Sequence, residues 1–453
     1  MRKPFDLKIS VSGIRGKIGR SFTPGLVISF SEAFATYLGG GKIAVATDTR
    51  PTRELVKHAV FAGLLSCGAV PVDAGILPIP SFQIYVRDTR ARGGIAITAS
   101  HNPVEWNALK LVKRGGFFPF SYQTEEILDI YHQGKFKRYT YFTEKPKIDR
   151  DAFRFHKNRL LSFANIELIK NKRPKVVVDA CNGASSPYIE NFLKSLGCEV
   201  IAINNDINSP FPHSPEPLPE NLTQLCEAVK KYGADIGFAQ DADADRLAAV
   251  DERGTPIGEE YTLALAVKYY LENREKSPVV VNLSTSRAVE DVVKEEGVPF
   301  FRSKVGEINV VEEMIKRKSK IGGEGNGGII SADVHLCRDS FAGMVLLLEL
   351  LSKSGKRLSE LVSEIPRYFM IKDKIEVSLK DSIKIVEYFK KIHKNGRINL
   401  LDGIRIDYND YWVHIRPSNT EPVLRIIVEA RTKTMVNEVY EKVKKQILEL
   451  KEV

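Results

Sequence analysis

Apolar residues in this chain gather into short runs that recur in one arrangement. Residues 42–50 (KIAVATDTR) read as an apolar strand ending in a polar loop, followed by a helix from Glu54 to Ser66, then Gly68 and a second strand, Ala69 to Asp73. Residues 175–183 (KVVVDACNG) repeat the pattern, with a helix over Pro187 to Leu196, then Gly197 and the strand CEVIAIN. Residues 278–286 (PVVVNLSTS) do so again, with a helix over Ala288 to Glu296, then Gly297 and the strand VPFF. Each copy is strand, loop, helix, glycine cap and strand, which describes a βαβ unit. The repetition predicts three α/β domains of related architecture. One large doubly wound sheet is the alternative, since βαβ units look alike in both.

The tail follows a different rule. Strands of alternating character are expected at 373–379 and within 403–431. A last helix from about Thr434 places Val436, Val439, Tyr440, Val443, Ile447 and Leu450 on one face at helical spacing. This predicts a smaller C-terminal α+β domain. Boundaries are expected near 150, 254 and 367, dividing the chain into 1–150, 151–253, 254–366 and 367–453. A length of 453 residues agrees, being too long for one ordinary core.

Composition narrows the class. Apolar content of 43% and charged content of 27% are those of a soluble globular protein, and no apolar run is long enough to span a membrane. The opening Met1-Arg2-Lys3-Pro4-Phe5 lacks the apolar core of a signal peptide. The five cysteines form no metal spacing, so buried reduced thiols and a cytoplasmic location are expected. The net charge of +10 suits an anionic small substrate. Lysine-rich stretches at 390–394 and 442–445 lie on expected helices as solvated faces, so no nucleic-acid partner is expected.

Four loops carry candidate chemistry. Residues 97–103 (ITASHNP) place Ser100 beside His101 after an apolar stretch; the hydroxyl can act as a nucleophile or carry a phosphate, and the imidazole can move its proton. Residues 241–246 (DADADR) set Asp241, Asp243 and Asp245 at alternate positions, hard oxygen ligands suited to Mg²⁺ or Ca²⁺. An EF-hand fails here, because its sixth position needs glycine and holds Arg246, and the following LAAVD reads as a strand. A divalent ion held between two strands fits better, with Arg246 placed to contact a bridging phosphate. Residues 322–328 (GGEGNGG) form a tight loop whose only side chains, Glu324 and Asn326, face a ligand that the glycines let approach; Glu324 can accept from sugar hydroxyls. Residues 416–425 (RPSNTEPVLR) combine Arg416 and Arg425 with Ser418, Asn419 and Thr420, the makings of a phosphate cradle. Near the N-terminus, SGIRGKIG (12–19) holds Arg15 between glycines, again suited to phosphate.

With these motifs in their order, TASHNP followed by Lys110, then DADADR, GEGNGG and RPSNTEPVLR, the chain resembles the α-D-phosphohexomutase family from end to end. The resemblance implies mixed sheets in four domains around a central cleft. It implies that Ser100 is the phosphoserine that donates and recovers the phosphoryl group, and that Asp241, Asp243 and Asp245 hold Mg²⁺ together with it. Glu324 would read sugar hydroxyls, and Arg416, Ser418, Asn419 and Thr420 would grip the non-reacting phosphate. His101, Lys110, Arg15 and Arg246 would serve proton transfer and charge stabilisation. A hexose phosphate is the implied substrate, a hexose 1,6-bisphosphate the activator, and a monomer or homodimer the assembly.

Departures from the family pattern bear on the sugar. The usual Gly-Thr-x-Gly-x-Arg-Gly opening appears as residues 10–16 with Val11 in place of threonine. The sugar loop carries Asn326 and Gly328 where many members have serine and histidine, Ala242 replaces a common glycine, and Glu307 occupies a position that is histidine in some mannose and glucose enzymes. The motifs look most like the phosphoglucosamine mutase branch, and an acidic pocket formed by Glu307 without a histidine at 328 would favour an ammonium at C2 of the sugar. Glucose or mannose phosphate is the alternative. A metal-dependent phosphomonoesterase is more remote, since it needs no sugar loop or second phosphate cradle. A silent sugar-phosphate-binding protein would not keep both the nucleophile and the metal ligands.

Overall fold

The computed structural model describes residues 6–10, 13–141, 144–393, 395–418 and 422–451. They form four separate sheets, which overturns the single doubly wound sheet. The first has seven strands in the order Lys8–Ser10, Gly13–Lys17, Trp106–Lys113, Gly93–Ile97, Gly41–Thr47, Ala69–Ile76 and Lys147–Ile148. Its right half is parallel and its left half antiparallel, so the sheet is mixed. The second, of four strands, runs Leu247–Asp251, Ile236–Gln240, Lys175–Asp179, Glu199–Ile203. The third has five: Phe300–Ser303, Val279–Asn282, Ile321–Glu324, Gly328–Ser331 and His335–Arg338.

The three sequence repeats supply the parallel pairs in these sheets: Gly41–Thr47 with Ala69–Ile76, Lys175–Asp179 with Glu199–Ile203, and Val279–Asn282 with Phe300–Ser303. The intervening helices are Arg53–Ser66, Ile189–Ser195 and Arg287–Glu295. After each, the glycine takes a left-handed backbone, φ 70° at Gly68, 99° at Gly197 and 67° at Gly297, a conformation that costs other residues a steric clash.

The last sheet is wholly antiparallel, in the order Phe369–Glu376, Val423–Ala430, Tyr411–Pro417, Ile404–Asp407, Arg397–Asn399. Its first strand begins at Phe369, earlier than the alternation at 373–379 predicts, because it pairs along its whole length with Val423–Ala430. The helix Lys433–Lys451 buries Val436, Tyr440, Val443 and Ile447 against this sheet, with Val439 and Leu450 at the margin. This cluster is a core of its own.

The first three domains share a larger core. Its centre is the helix Ser340–Ser354, whose residues 340–351 are buried on every side. Phe341 meets Phe153 at 5.6 Å, Phe192 at 5.5 Å and His156 at 5.4 Å. Asp339 caps this helix by accepting from the Phe341 and Ala342 amides, and it also pairs with His156 Nε2 at 2.9 Å. His156 Nδ1 in turn lies 2.8 Å from Ser81 Oγ. These three side chains have the order of a catalytic triad, but all are sealed from solvent. They act as a polar staple in which His156 of the second domain joins Ser81 of the first to Asp339 of the third. Cys226 is half-buried, unlike the four other cysteines, and all five thiols are free. Among the described residues no helix is long and apolar enough to cross a membrane.

Candidate active site

The four domains enclose a cleft of about 580 Å³, within the size range of small-molecule sites. Ser100 and Lys110 line it from the first domain, Arg246 from the second, Glu324 and Asn326 from the third, and Arg416 and Arg425 from the fourth. Arg15, His101 and Ser418 also face it. Every expected site residue within the described set therefore lines one cleft, except the three aspartates, which lie buried against Ser100 and Lys110 of its wall. Asn419 and Thr420 lie outside the described residues, as do Val11 and Ser12 of the opening motif.

Ser100 follows the strand Gly93–Ile97 in a left-handed backbone, φ 49°. Its amide donates to Thr98 Oγ1 at 3.0 Å, which turns the hydroxyl toward the second domain. There Ser100 Oγ donates to Asp241 Oδ2 at 2.9 Å and lies 3.4 Å from His101 Nδ1. The loop is braced from below by Arg50, a fully buried residue absent from the sequence reading. Its guanidinium donates to the carbonyls of Ser100, Asn102, Pro103 and Trp106 and pairs with Asp48 at 3.0 Å.

The aspartates sit in the turn between Ile236–Gln240 and Leu247–Asp251, two antiparallel strands. One carboxylate oxygen from each of Asp241, Asp243 and Asp245 lies within 4.8 Å of the others. Asp241 Oδ1 accepts from the amides of Asp245 and Arg246, and Ala244 takes φ 57° to close the turn. Asp243 Oδ1 and Asp245 Oδ1 are buried without a hydrogen-bond partner among the described residues. Buried carboxylate oxygens left in this way are costly, and grouped oxygens of this kind fit a hard divalent cation.

Charge in the site is finely opposed. Burial, then Asp245 and Asp243, push the Asp241 carboxyl well above its ordinary value. Burial acts the same way on Asp245, but Arg338, Lys110 and Arg246 outweigh it and hold that carboxyl low. Lys110 Nζ lies 2.7 Å from Asp243 and 3.5 Å from Asp245. Burial disfavours its charge, yet those carboxylates keep its pKa above the usual value. His101 is the opposite case: burial, Arg246 and Arg15 push it down to about 2. Its Nδ1 accepts from Arg246 Nη2 at 3.1 Å, so the ring is a neutral acceptor here.

Across the cleft, Glu324 is held more firmly than its loop suggests. Its Oε1 accepts from Asn282 and from the Gly306 amide, each at 2.8 Å, and its Oε2 pairs with Arg338 at 2.8 Å. Arg338, unremarkable in sequence, also pairs with Glu307 at 3.1 Å and with Asp245. Glu307 is buried and pushed up to about 7, burial outweighing Arg338. The wall expected to be acidic is thus partly neutralised. Asn326 Oδ1 is buried with no hydrogen-bond partner among the described residues. On the fourth domain, Arg416 and Arg425 stand opposite each other in register on neighbouring strands. Like charges so placed repel, and an anion between them relieves the repulsion. Asp402 balances Arg416 at 3.2 Å.

The chain matches the family models described as phosphoglucomutase/phosphomannomutase domain I over residues 6–138, domain II over 155–254, domain III over 258–369 and the C-terminal domain over 374–446. It is 35% identical over 436 residues to a phosphoglucomutase/phosphomannomutase of Thermococcus kodakarensis, covering 95% of this chain and 96% of that one. It is also 35% identical over 432 residues to a probable phosphoglucosamine mutase of Methanopyrus kandleri, covering 94% of each. Its fold is that of a putative phosphomannomutase from Thermus thermophilus, with a TM-score of 0.84 at 23% identity over 98% of this chain and 99% of that one.

Proposed function

Because the chain belongs to the phosphoglucomutase/phosphomannomutase family and is a phosphohexomutase, we propose that it interconverts glucosamine 6-phosphate and glucosamine 1-phosphate through a phosphoserine at Ser100. One observation carries the reading: a single cleft is lined by Ser100, whose Oγ donates to Asp241, by Glu324 and Asn326, and by Arg416 and Arg425, which stand opposite each other on neighbouring strands. A sugar bearing two phosphates suits a cleft with cationic side chains from the first, second and fourth domains.

In the forward half-reaction a sugar hydroxyl attacks phosphorus on Ser100, the P–O bond to Oγ breaks, and the hydroxyl proton is carried by His101 to Oγ, which leaves as the serine hydroxyl. The bisphosphorylated sugar then turns in the cleft and returns its other phosphoryl group to Ser100. Lys110, kept charged by Asp243 and Asp245, and Arg246 and Arg15 offset the negative charge of the transferring group. Burial is the larger cause that keeps the proton off His101, and the guanidiniums of Arg246 and Arg15 add to it; a phosphoryl group beside them would offset their share alone. Mg²⁺ held by Asp241, Asp243, Asp245 and the Ser100 phosphate would add Lewis-acid stabilisation of that charge. Arg416, Arg425, Ser418, Asn419 and Thr420 grip the phosphate that is not reacting. A hexose 1,6-bisphosphate activates by phosphorylating Ser100.

Arg416→Ala removes a forked contact worth roughly 1.5–3 kcal/mol, so substrate affinity is expected to fall about tenfold to a hundredfold. Isothermal titration with the sugar phosphate reads this loss. Mg²⁺ binding should survive; its disappearance would assign the loop to the metal site instead.

The sugar rests on the third-domain wall, where Glu307 and Glu324 outnumber Arg338 and favour an ammonium at C2. Relatives named probable phosphoglucosamine mutase support the same choice. Glucose or mannose phosphate is the second reading, favoured by the neutralising contacts of Arg338 and by the relative named phosphoglucomutase/phosphomannomutase. The test is kcat/KM on the three sugar phosphates at saturating bisphosphate. A glucose or mannose phosphate preferred by more than about tenfold, or roughly 1.4 kcal/mol of transition-state binding, overturns the assignment.

A further inference from the structure

Arg338 ends the strand His335–Arg338, directly before the Asp339 cap that ties the third domain to His156 of the second. Its guanidinium spans three carboxylates from three segments: Asp245 of the aspartate turn, Glu307 at the head of the helix Glu307–Arg317, and Glu324 of the sugar loop. Two of these belong to the third domain and one to the second. The contacts use three of the five guanidinium N–H groups, leaving two. Arg338 lies flat across the loop because residue 328 has no side chain: a Cβ at Gly328 would stand 2.3 Å from Arg338 Cδ.

We infer that Arg338 is a positioning residue that couples sugar recognition to the metal ligands. Its Nη2 takes Asp245 Oδ2 and thereby fixes the direction of Oδ1, the oxygen without a protein hydrogen bond. Its Nη1 takes Glu324 Oε2. A sugar that draws on Glu324 or on the remaining N–H groups therefore alters the hold on Asp245, within one rigid, buried network. Such coupling is reciprocal: the sugar phosphate strengthens the ion's binding by the same factor by which the ion strengthens the sugar's.

The inference rests on the proposed site but not on the identity of the sugar. The experiment is calorimetric titration of Mg²⁺ into the dephosphorylated full chain, alone and saturated with glucosamine 6-phosphate, in wild type, Arg338→Met, Arg338→Lys and Gly328→Ala. Wild type is expected to bind Mg²⁺ at least about fivefold more tightly with the sugar phosphate present, about 1 kcal/mol of coupling. Arg338→Met should bring that factor to within twofold of one. Arg338→Lys, which keeps a charge but loses the fork, should retain part of it. Gly328→Ala displaces the guanidinium without deleting it and should weaken the coupling in a protein that still folds. An unchanged factor in Arg338→Met and Gly328→Ala, or no coupling in wild type with any hexose phosphate, overturns the inference. If glucose 6-phosphate shows the coupling and glucosamine 6-phosphate does not bind, the sugar assignment fails and Arg338 keeps its role.

Discussion

Ser100→Ala is expected to lower bisphosphate-dependent mutase activity by about 10³-fold or more, the loss typical of removing a nucleophile. The effect is chemical rather than conformational. Ser100 sits at φ 49°, and alanine bears nearly the same steric cost there as serine. The bracing carbonyl contacts from Arg50 involve only the backbone. The deleted hydroxyl donates to Asp241, beside the oxygens that would hold the ion. Intact-mass measurement should find one phosphate on the wild type after treatment with hexose 1,6-bisphosphate and none on the variant. Near-normal turnover by Ser100→Ala would end the phosphoserine reading.

Arg50→Met should be the most damaging substitution outside the cleft wall. Asp48 and Arg50 have no exposed side-chain surface, and burial already pushes the Asp48 carboxyl upward against the pull of Arg50. Removing the partner leaves a buried carboxylate alone, a loss of about 3–5 kcal/mol. Four carbonyls of the Ser100 loop lose their donor at the same time. That loss is expected to lower the protein's unfolding midpoint by several degrees, read by differential scanning calorimetry. Arg50→Lys keeps the charge opposite Asp48 but cannot fork to four carbonyls, so it should recover part of the midpoint and little of the rate. A midpoint for Arg50→Met within about 2 °C of wild type would show that the loop holds itself.

Arg50 and Arg338 mark the limit of reading the sequence. Arg50 ends the first repeat's KIAVATDTR and Arg338 stands in an unremarkable CRDS. A lone arginine carries no period that foretells its distant partners. Both act through contacts distant along the chain: Arg50 reaches residues about fifty positions away, and Arg338 reaches Asp245 at a separation of 93. The aspartate turn, by contrast, was legible because its three carboxylates are neighbours in the chain. Three aspartates at alternate positions converge through one tight turn, with only Ala244 forced into the left-handed region. Glu324 falls between these cases. Its glycine loop advertised a close approach to ligand, but Asn282, Gly306 and Arg338 take up much of its capacity, and none of these could be inferred from GGEGNGG.

The sequence by itself determined the repeated βαβ units, the separate C-terminal sheet and the four loops bearing Ser100, the aspartates, Glu324 and Arg416. Those follow from local rules: burial of short apolar runs, glycine at helix ends, and functional groups close together in the chain. Tertiary structure alone decided the charge state of the cleft. Whether His101 is neutral, Lys110 charged or Glu307 pushed up to about 7 depends on burial and on guanidiniums brought from other segments. Coulomb energy varies with distance in space and with the surrounding dielectric, and neither is written in the spacing of residues along the chain.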